Sequence, residues 1–212
     1  MSTIIIAAGG TPPDKKEFLD YAAVCDMIIA ADSGADWLSC YGVTPNLLIG
    51  DFDSAKKTVI SAYQIKGVKT ITAKVEKDET DLMLAAQYAV KSNADKVIIF
   101  GGTGRRIDHL LGNFQVMYYL LKNNIRPIMI DRETMIEMMT SGKSVLVADI
   151  GATVSIVPYG GDARVAAESG GFKYPLDNLL LPADSPVGIS NITRRTKISL
   201  KITGTVLTIV NR

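Results

Sequence analysis

Six short apolar runs recur along the first 131 residues, at 4–7, 27–31, 47–49, 69–73, 97–100 and 127–130. Segments with helical spacing lie between them. The clearest covers 79–93, where Leu82, Ala85, Ala86, Ala89 and Val90 fall on one face. Another covers 108–123, with Leu111, Phe114, Tyr118 and Leu121 in register. A run such as Leu47-Leu48-Ile49, apolar at successive positions, suits a strand covered on both faces. Strand–helix alternation of this kind predicts an α/β fold, an open, mostly parallel, Rossmann-like sheet with helices on both sides.

In such sheets ligands sit beyond the carboxyl ends of the strands. The residues that follow each run are therefore the place to look for chemistry. They are Ala8-Gly9-Gly10-Thr11, then Asp32-Ser33-Gly34, then Asp51 with Asp53. After 69–73 come Lys77, Asp78, Thr80 and Asp81, and after 97–100 come Gly101-Gly102-Thr103-Gly104-Arg105-Arg106-Ile107-Asp108-His109. Two carboxylates on alternate residues repel and call for a counter-charge, which an oxygen-preferring dication such as Mg2+ supplies. The plainer alternative is that Asp51 and Asp53 cap a helix starting at Ser54. Asp78 and Asp81 could likewise be a cap and a first-turn acid, and Asp32 a turn residue. The glycines after 97–100 let a backbone approach phosphate at a helix N-terminus. They match neither the dinucleotide pattern, since Ile107 replaces the third glycine, nor a Walker A loop. Gly142-Lys143-Ser144 lacks the upstream glycine, Glu137 standing there, and reads as a turn. Arg106 offers phosphate two parallel donors. His109, the single histidine, reads as a supporting residue rather than a general base.

After residue 131 the helical period disappears. Short runs with strand character follow at 134–139, 144–148, 153–157 and 164–167. Then Ile198, Leu200 and Ile202 alternate with polar residues before Gly204 turns the chain into 206–210. This predicts a second, all-β domain, a small sandwich or flattened barrel over 132–212, joined to an α/β domain over 1–131. Gly170-Gly171-Phe172-Lys173-Tyr174-Pro175-Leu176 and Gly188-Ile189-Ser190-Asn191 read from the residues alone as hairpin turns.

Charge excludes some partners. With 23 basic against 22 acidic residues, no chain-wide field points to nucleic acid or an anionic membrane. No stretch approaches the roughly 20 apolar residues of a membrane span, and the N-terminal apolar run is too short for a signal peptide. A cytoplasmic protein is expected, with Cys25 and Cys40 as reduced core thiols.

Taken in order, several motifs resemble those of the thiamine pyrophosphokinases. They are Asp32-Ser33-Gly34-Ala35-Asp36, the stretch 45–54, Lys77-Asp78-Glu79-Thr80-Asp81, the stretch 101–113, and in the second half 171–176 and 188–191. The resemblance implies transfer of the terminal diphosphate of ATP to the hydroxyethyl group of thiamine, leaving AMP. It implies Mg2+ on Asp51, Asp53 and Asp81, and catalytic roles for Asp32, Asp81, Arg106 and Asp108. Lys77, Gly102, Thr103, Gly104, Arg106 and Asp108 would bind ATP, while Asp32, Thr80, Tyr174, Ser190 and Asn191 would bind thiamine. A homodimer is implied too. The chain departs from the pattern at Arg105, where glycine is common, and at Tyr174, where tryptophan is common. Tyr174 keeps a stacking face but a smaller one.

Two other classes share parts of the pattern. A haloacid-dehalogenase-like phosphatase also carries Asp-x-Asp after a strand, early in the chain and without a Gly-Thr-Gly-Arg loop. A non-catalytic nucleotide sensor would have little need of three metal-type carboxylates.

Overall fold

The computed structural model describes residues 1–73, 79–104 and 106–212. It divides into two compact units, Met1–Arg132 and Glu133–Arg212. Together they form a mixed α/β fold with five helices among the described residues. None of these helices is long and apolar enough to cross a membrane.

Among the described residues of the first unit strands and helices alternate. The order is β1 (Thr3–Ala7), α1 (Lys15–Ala22), β2 (Met27–Ala31), α2 (Gly34–Tyr41), β3 (Leu47–Gly50) and α3 (Lys57–Ile65). It continues with β4 (Lys69–Thr72), α4 (Asp81–Lys91), β5 (Lys96–Phe100), α5 (Ile107–Lys122) and β6 (Arg126–Ile130). The strands pair in parallel in the order β6-β5-β1-β2-β3-β4. The chain therefore winds outward from β1 to β4, then crosses back to place β5 on the other side of β1. Ile5, Ile6, Ile29, Leu48 and Ile99 in the inner strands are fully buried, as strands covered on both faces require. β4, Lys-Thr-Ile-Thr at the edge, is the polar exception.

The helix faces differ in how well their periodicity foretold burial. In α4 the buried residues are Leu82, Ala85, Ala86 and Ala89, all on the expected face. In α5 they are Val116, Met117 and Leu120, whereas Leu111 of the expected stripe is 59% exposed. Two apolar stripes run along α5, and only packing against β6 and α4 decides between them. The expectation of two core thiols also fails: both cysteines are free, but Cys25 is only half-buried and Cys40 is exposed.

The second unit is antiparallel throughout. Its strands are β7 (Thr134–Val147), β8 (Thr153–Pro158), β9 (Ala163–Ala167), β10 (Leu179–Leu181), β11 (Asn191–Ile192) and β12 (Lys197–Asn211). β12 organises them. It pairs with β7 along nearly its whole length, with β9 through its first half, and with β8 through its second. Ile198, Leu200, Ile202, Val206 and Val210 carry its side chains into a core with Val154, Val165 and Leu181.

Here three expectations from sequence need correction. The runs at 134–139 and 144–148 are one strand, and Gly142-Lys143-Ser144 is not a turn, since these residues pair with Ile202, Lys201 and Leu200. Gly204 does not reverse the chain either: it sits at a register shift between Ile202 and Thr205 within β12. A glycine inside a strand often marks a bulge rather than a turn.

Candidate functional site

In a parallel sheet every strand ends at the same edge, so the loops that follow them gather without further instruction. The loops after β1 and β5 are stitched together by backbone bonds. The N–H of Gly10 donates to the carbonyl of Gly101 at 2.8 Å, and that of Thr11 to Thr103 at 2.7 Å. The approach is so close at Gly10 that a Cβ would collide with the Thr103 carbonyl oxygen. The Asn113 side-chain amide donates to the Gly102 carbonyl at 2.6 Å, and the Trp37 indole N–H donates to that of Ala8 at 2.9 Å. These two side chains fix the glycine loops, and neither is among the site residues that the resemblance implies, although Trp37 is the single tryptophan. Asn113 lies inside α5, the helix that follows its loop, whereas Trp37 reaches the loop after β1 from α2, the helix after the neighbouring strand β2.

A cavity of about 510 Å³ opens at these strand ends. It is lined from β1, β2, β5 and the starts of α4 and α5, with Gly10, Asp32, Thr80, Asp81, Gly102 and Arg106 among its walls. It straddles β1 and β5, where the direction of winding reverses.

Asp32, Asp51 and Asp53 can each offer one carboxylate oxygen within 4.8 Å of the others. Asp32 has a left-handed backbone (φ 46°), and so does Phe52 between the other two (φ 59°). Non-glycine residues in this region carry strain that surrounding contacts must hold in place. The Asp53 N–H donates to Asp51 Oδ1 at 3.2 Å, and the Ser54 hydroxyl donates to Asp53 Oδ1 at 2.9 Å. Asp32 Oδ1 is buried with no hydrogen-bond partner among the described residues. Burial pushes the Asp32 carboxyl above the usual carboxylate range, and the charges of Asp81, Asp53 and Asp51 push the same way. An all-oxygen donor set with an unsatisfied buried acceptor suits a hard dication.

Asp81 stands beside this trio rather than within it. A Cβ on Gly50, whose φ is 147°, would lie 3.1 Å from Asp81 Oδ1. The carboxylates gathered within 4.8 Å are Asp32, Asp51 and Asp53, two of which belong to the expected ligand set of Asp51, Asp53 and Asp81. The capping alternatives resolve as well. α3 begins at Lys57, so neither Asp51 nor Asp53 caps it. The cap of α4 is Thr80, whose hydroxyl accepts from the Met83 N–H at 3.2 Å. Lys77, Asp78 and Arg105 lie outside the described residues.

Arg106 and Asp108 form an exposed bidentate pair, with Nε to Oδ1 at 3.2 Å and Nη2 to Oδ2 at 2.5 Å. The Arg106 bond holds the Asp108 carboxyl down at about 2. Arg106, the N-cap residue of α5, makes no side-chain cap bond, and the start of this helix faces the cavity through Arg106 and His109. Thr103 and Gly104 line the same cavity, and so does His109.

In the second unit a smaller cavity of about 140 Å³ is walled by Ile156, Val165, Leu181, Tyr174 and Asn191. Asn191 is 7% exposed and clamps two segments. Its Oδ1 accepts from the Tyr174 N–H at 3.1 Å, and its Nδ2 donates to the Tyr174 carbonyl at 2.8 Å. Tyr174 is 57% exposed, with the Lys173 ammonium 5.3 Å from its ring centre. Ser190 is not among the cavity walls. Its side chain is exposed, its φ is 61°, and its N–H donates to the Ser155 hydroxyl at 3.1 Å.

Comparison with known proteins bears on both units. The family model "Thiamin pyrophosphokinase, catalytic domain" matches residues 18–129, and "Thiamin pyrophosphokinase, vitamin B1 binding domain" matches 143–207. A thiamine pyrophosphokinase of Bacillus subtilis is 34% identical over 192 residues, covering 90% of this chain and 89% of the relative. The crystal structure of a thiamine pyrophosphokinase from Bacillus subtilis superposes with a TM-score of 0.87 at 30% identity, covering 99% of each chain. That of a thiamin pyrophosphokinase from Geobacillus thermodenitrificans gives 0.83 at 26% identity, over 99% of this chain and 97% of the other.

Proposed function

The chain belongs to the thiamin pyrophosphokinase family, and from that premise we propose how its parts share the reaction. The reaction moves the terminal diphosphate of ATP onto the hydroxyethyl group of thiamine and releases AMP. In our reading the α/β unit over 1–131 holds ATP and Mg2+ on a Rossmann-like sheet. Right-handed crossovers then put α1, α2 and α3 on one face and α4 and α5 on the other. The β unit over 132–212, read as a flattened barrel or sandwich, takes the thiamine. A homodimer completes the site, and the enzyme works in the cytoplasm.

The observation that carries this reading is the gathering of Asp32, Asp51 and Asp53, with Asp32 in the wall of a cavity that Asp81 and two glycine loops also line. These three carboxylates would hold Mg2+, with Asp81 beside them. The ion, when bound, supplies positive charge against the phosphate oxygens. Backbone N–H groups of Gly102, Thr103 and Gly104, together with the N-terminus of α5, receive the remaining phosphate charge. Arg106 exchanges the Asp108 carboxylate for phosphate oxygens with the same two donors, and Asp108 keeps it aimed until ATP arrives. The new bond joins the thiamine hydroxyl oxygen to the β-phosphorus, and the bond to the α-phosphate oxygen breaks. The hydroxyl proton passes to Asp32 or Asp81. Tyr174 offers its ring to thiamine and Asn191 walls that pocket, while Ser190, exposed beside Asn191, would reach thiamine from outside the walls. Phosphoryl transfer of this kind depends mainly on positioning and electrostatics.

Incubating the purified chain with ATP, Mg2+ and thiamine tests the reading. AMP and thiamine diphosphate should appear in equal amounts. Release of ADP, or AMP formation indifferent to thiamine, would contradict it.

A further inference from the structure

Asp36 lies outside the carboxylate trio, yet its hydrogen bonds bear directly on the loop that carries two of its members. Both of its carboxylate oxygens accept from the Lys56 backbone N–H, at 3.1 and 3.3 Å. Lys56 is the N-cap residue just before α3, and its own side chain makes no cap bond. α2 thus supplies the cap that α3 lacks, across twenty positions of sequence.

The other end of the same loop is also tied to the segment after β2. The Asp32 N–H donates to the Ile49 carbonyl at 3.0 Å. The stretch from Gly50 to Lys56, with Asp51, the left-handed Phe52 and Asp53, is therefore held at both ends by residues 32–36. That segment itself presents Asp32 to the cluster. One short piece of chain carries one carboxylate and sets the distance to the other two.

We propose that Asp36 is a positioning residue that keeps Asp51 and Asp53 at ion-binding spacing from Asp32. The proposal rests on the reading of the trio as an ion site. Three like charges drive the loop outward when no ion is bound, and the strained backbone at Phe52 adds to that tendency. The Asp36–Lys56 bond opposes both. Outer partners of metal-binding carboxylates commonly change affinity by about 10- to 100-fold when removed.

Calorimetric titration of the whole chain with Mn2+ and with Mg2+ tests this. Asp36→Ala should bind either ion at least about tenfold more weakly, while Asp36→Asn, which keeps one acceptor, stays within about threefold of the wild type. Lys56→Pro removes the donor and leaves Asp36 untouched. Proline suits the backbone there, with φ −67°, so this variant should lose as much affinity as Asp36→Ala. Asp14→Ala is the control, since it removes an equivalent cap from α1, where Asp14 Oδ1 accepts from the Glu17 N–H at 3.0 Å. It should cost similar stability and leave ion binding unchanged. In turnover, Asp36→Ala should raise the Mg2+ concentration for half-maximal rate and recover kcat at excess Mg2+. Wild-type affinity in both Asp36→Ala and Lys56→Pro, or an equal loss in Asp14→Ala, would overturn the positioning role. Absence of ion binding by the wild-type chain would instead overturn the ion site, and the positioning role with it.

Discussion

The first unit carries its candidate chemistry on loops at one edge of a parallel sheet, whereas the second walls its cavity with side chains from antiparallel strands and one long connection. The difference decides what each can be asked from sequence. Parallel strands all end at the same edge, so a residue placed after one run is a neighbour of residues placed after the others. Antiparallel strands end at alternate edges, and proximity there depends on pairing register. Asp32 and Asp51 meet because both follow parallel strands paired with each other. Tyr174 and Asn191 meet through a specific side-chain clamp that no spacing announces.

The largest expected effect lies in the first unit. Asp51→Asn or Asp53→Asn should lower turnover by about 100-fold or more, the order of loss when a transition-state electrostatic contact is removed. Stability should not fall with it. The Asp32 carboxyl has its pKa raised by burial and by three neighbouring charges. In ion-free protein its contribution is therefore greatest below the unfolded value of 3.8 and is lost as pH rises through the higher folded value. It follows that Asp32→Asn without divalent ions should raise Tm at neutral pH while abolishing most activity. A variant that loses both stability and activity would show that Asp32 is structural, and would erase the contrast between the units.

In the second unit the same kind of deletion should act the other way. Asn191→Ala leaves the Tyr174 N–H and carbonyl without their partner and should destabilise the chain by about 1–3 kcal/mol, read from urea unfolding. Tyr174→Ala should leave unfolding unchanged, because the ring is mostly exposed, and raise KM for thiamine by about tenfold through the lost stacking face. Tyr174→Trp should lower it. The smallest effect is at the Arg106–Asp108 pair. Asp108 titrates at about 2 rather than 3.8, so its stabilising part is present above pH 4 and fades as pH falls toward 2. The pair is exposed, so Asp108→Asn should barely alter the acid-unfolding midpoint, and high salt should remove even that difference.

What the sequence made legible followed from period and punctuation. The six parallel strands and the α4 face could be read because apolar runs and alanine spacing have one physical solution. α5 could not, because Leu111, Phe114 and Tyr118 form a stripe as regular as Val116, Met117 and Leu120. Gly142 and Gly204 looked like turns because glycine serves turns and bulged strands alike, and only the ladder between β7 and β12 separates the two uses. At the site, the aspartates after strands could be named from sequence. That Asp32 comes within 4.8 Å of Asp51 and Asp53 depends on backbone geometry, left-handed at Asp32 with φ 46°, which residue type does not announce. Asp36, Asn113 and Trp37 act through backbone groups of distant loops, a relation written in three dimensions only.

The most direct test is crystallographic. With Mn2+ and a non-hydrolysable ATP analogue bound, the anomalous signal should fall about 2 Å from oxygens of Asp32, Asp51 and Asp53 and of the analogue's phosphates. An ion held by phosphate alone, with these three carboxylates turned away from it, would contradict the account.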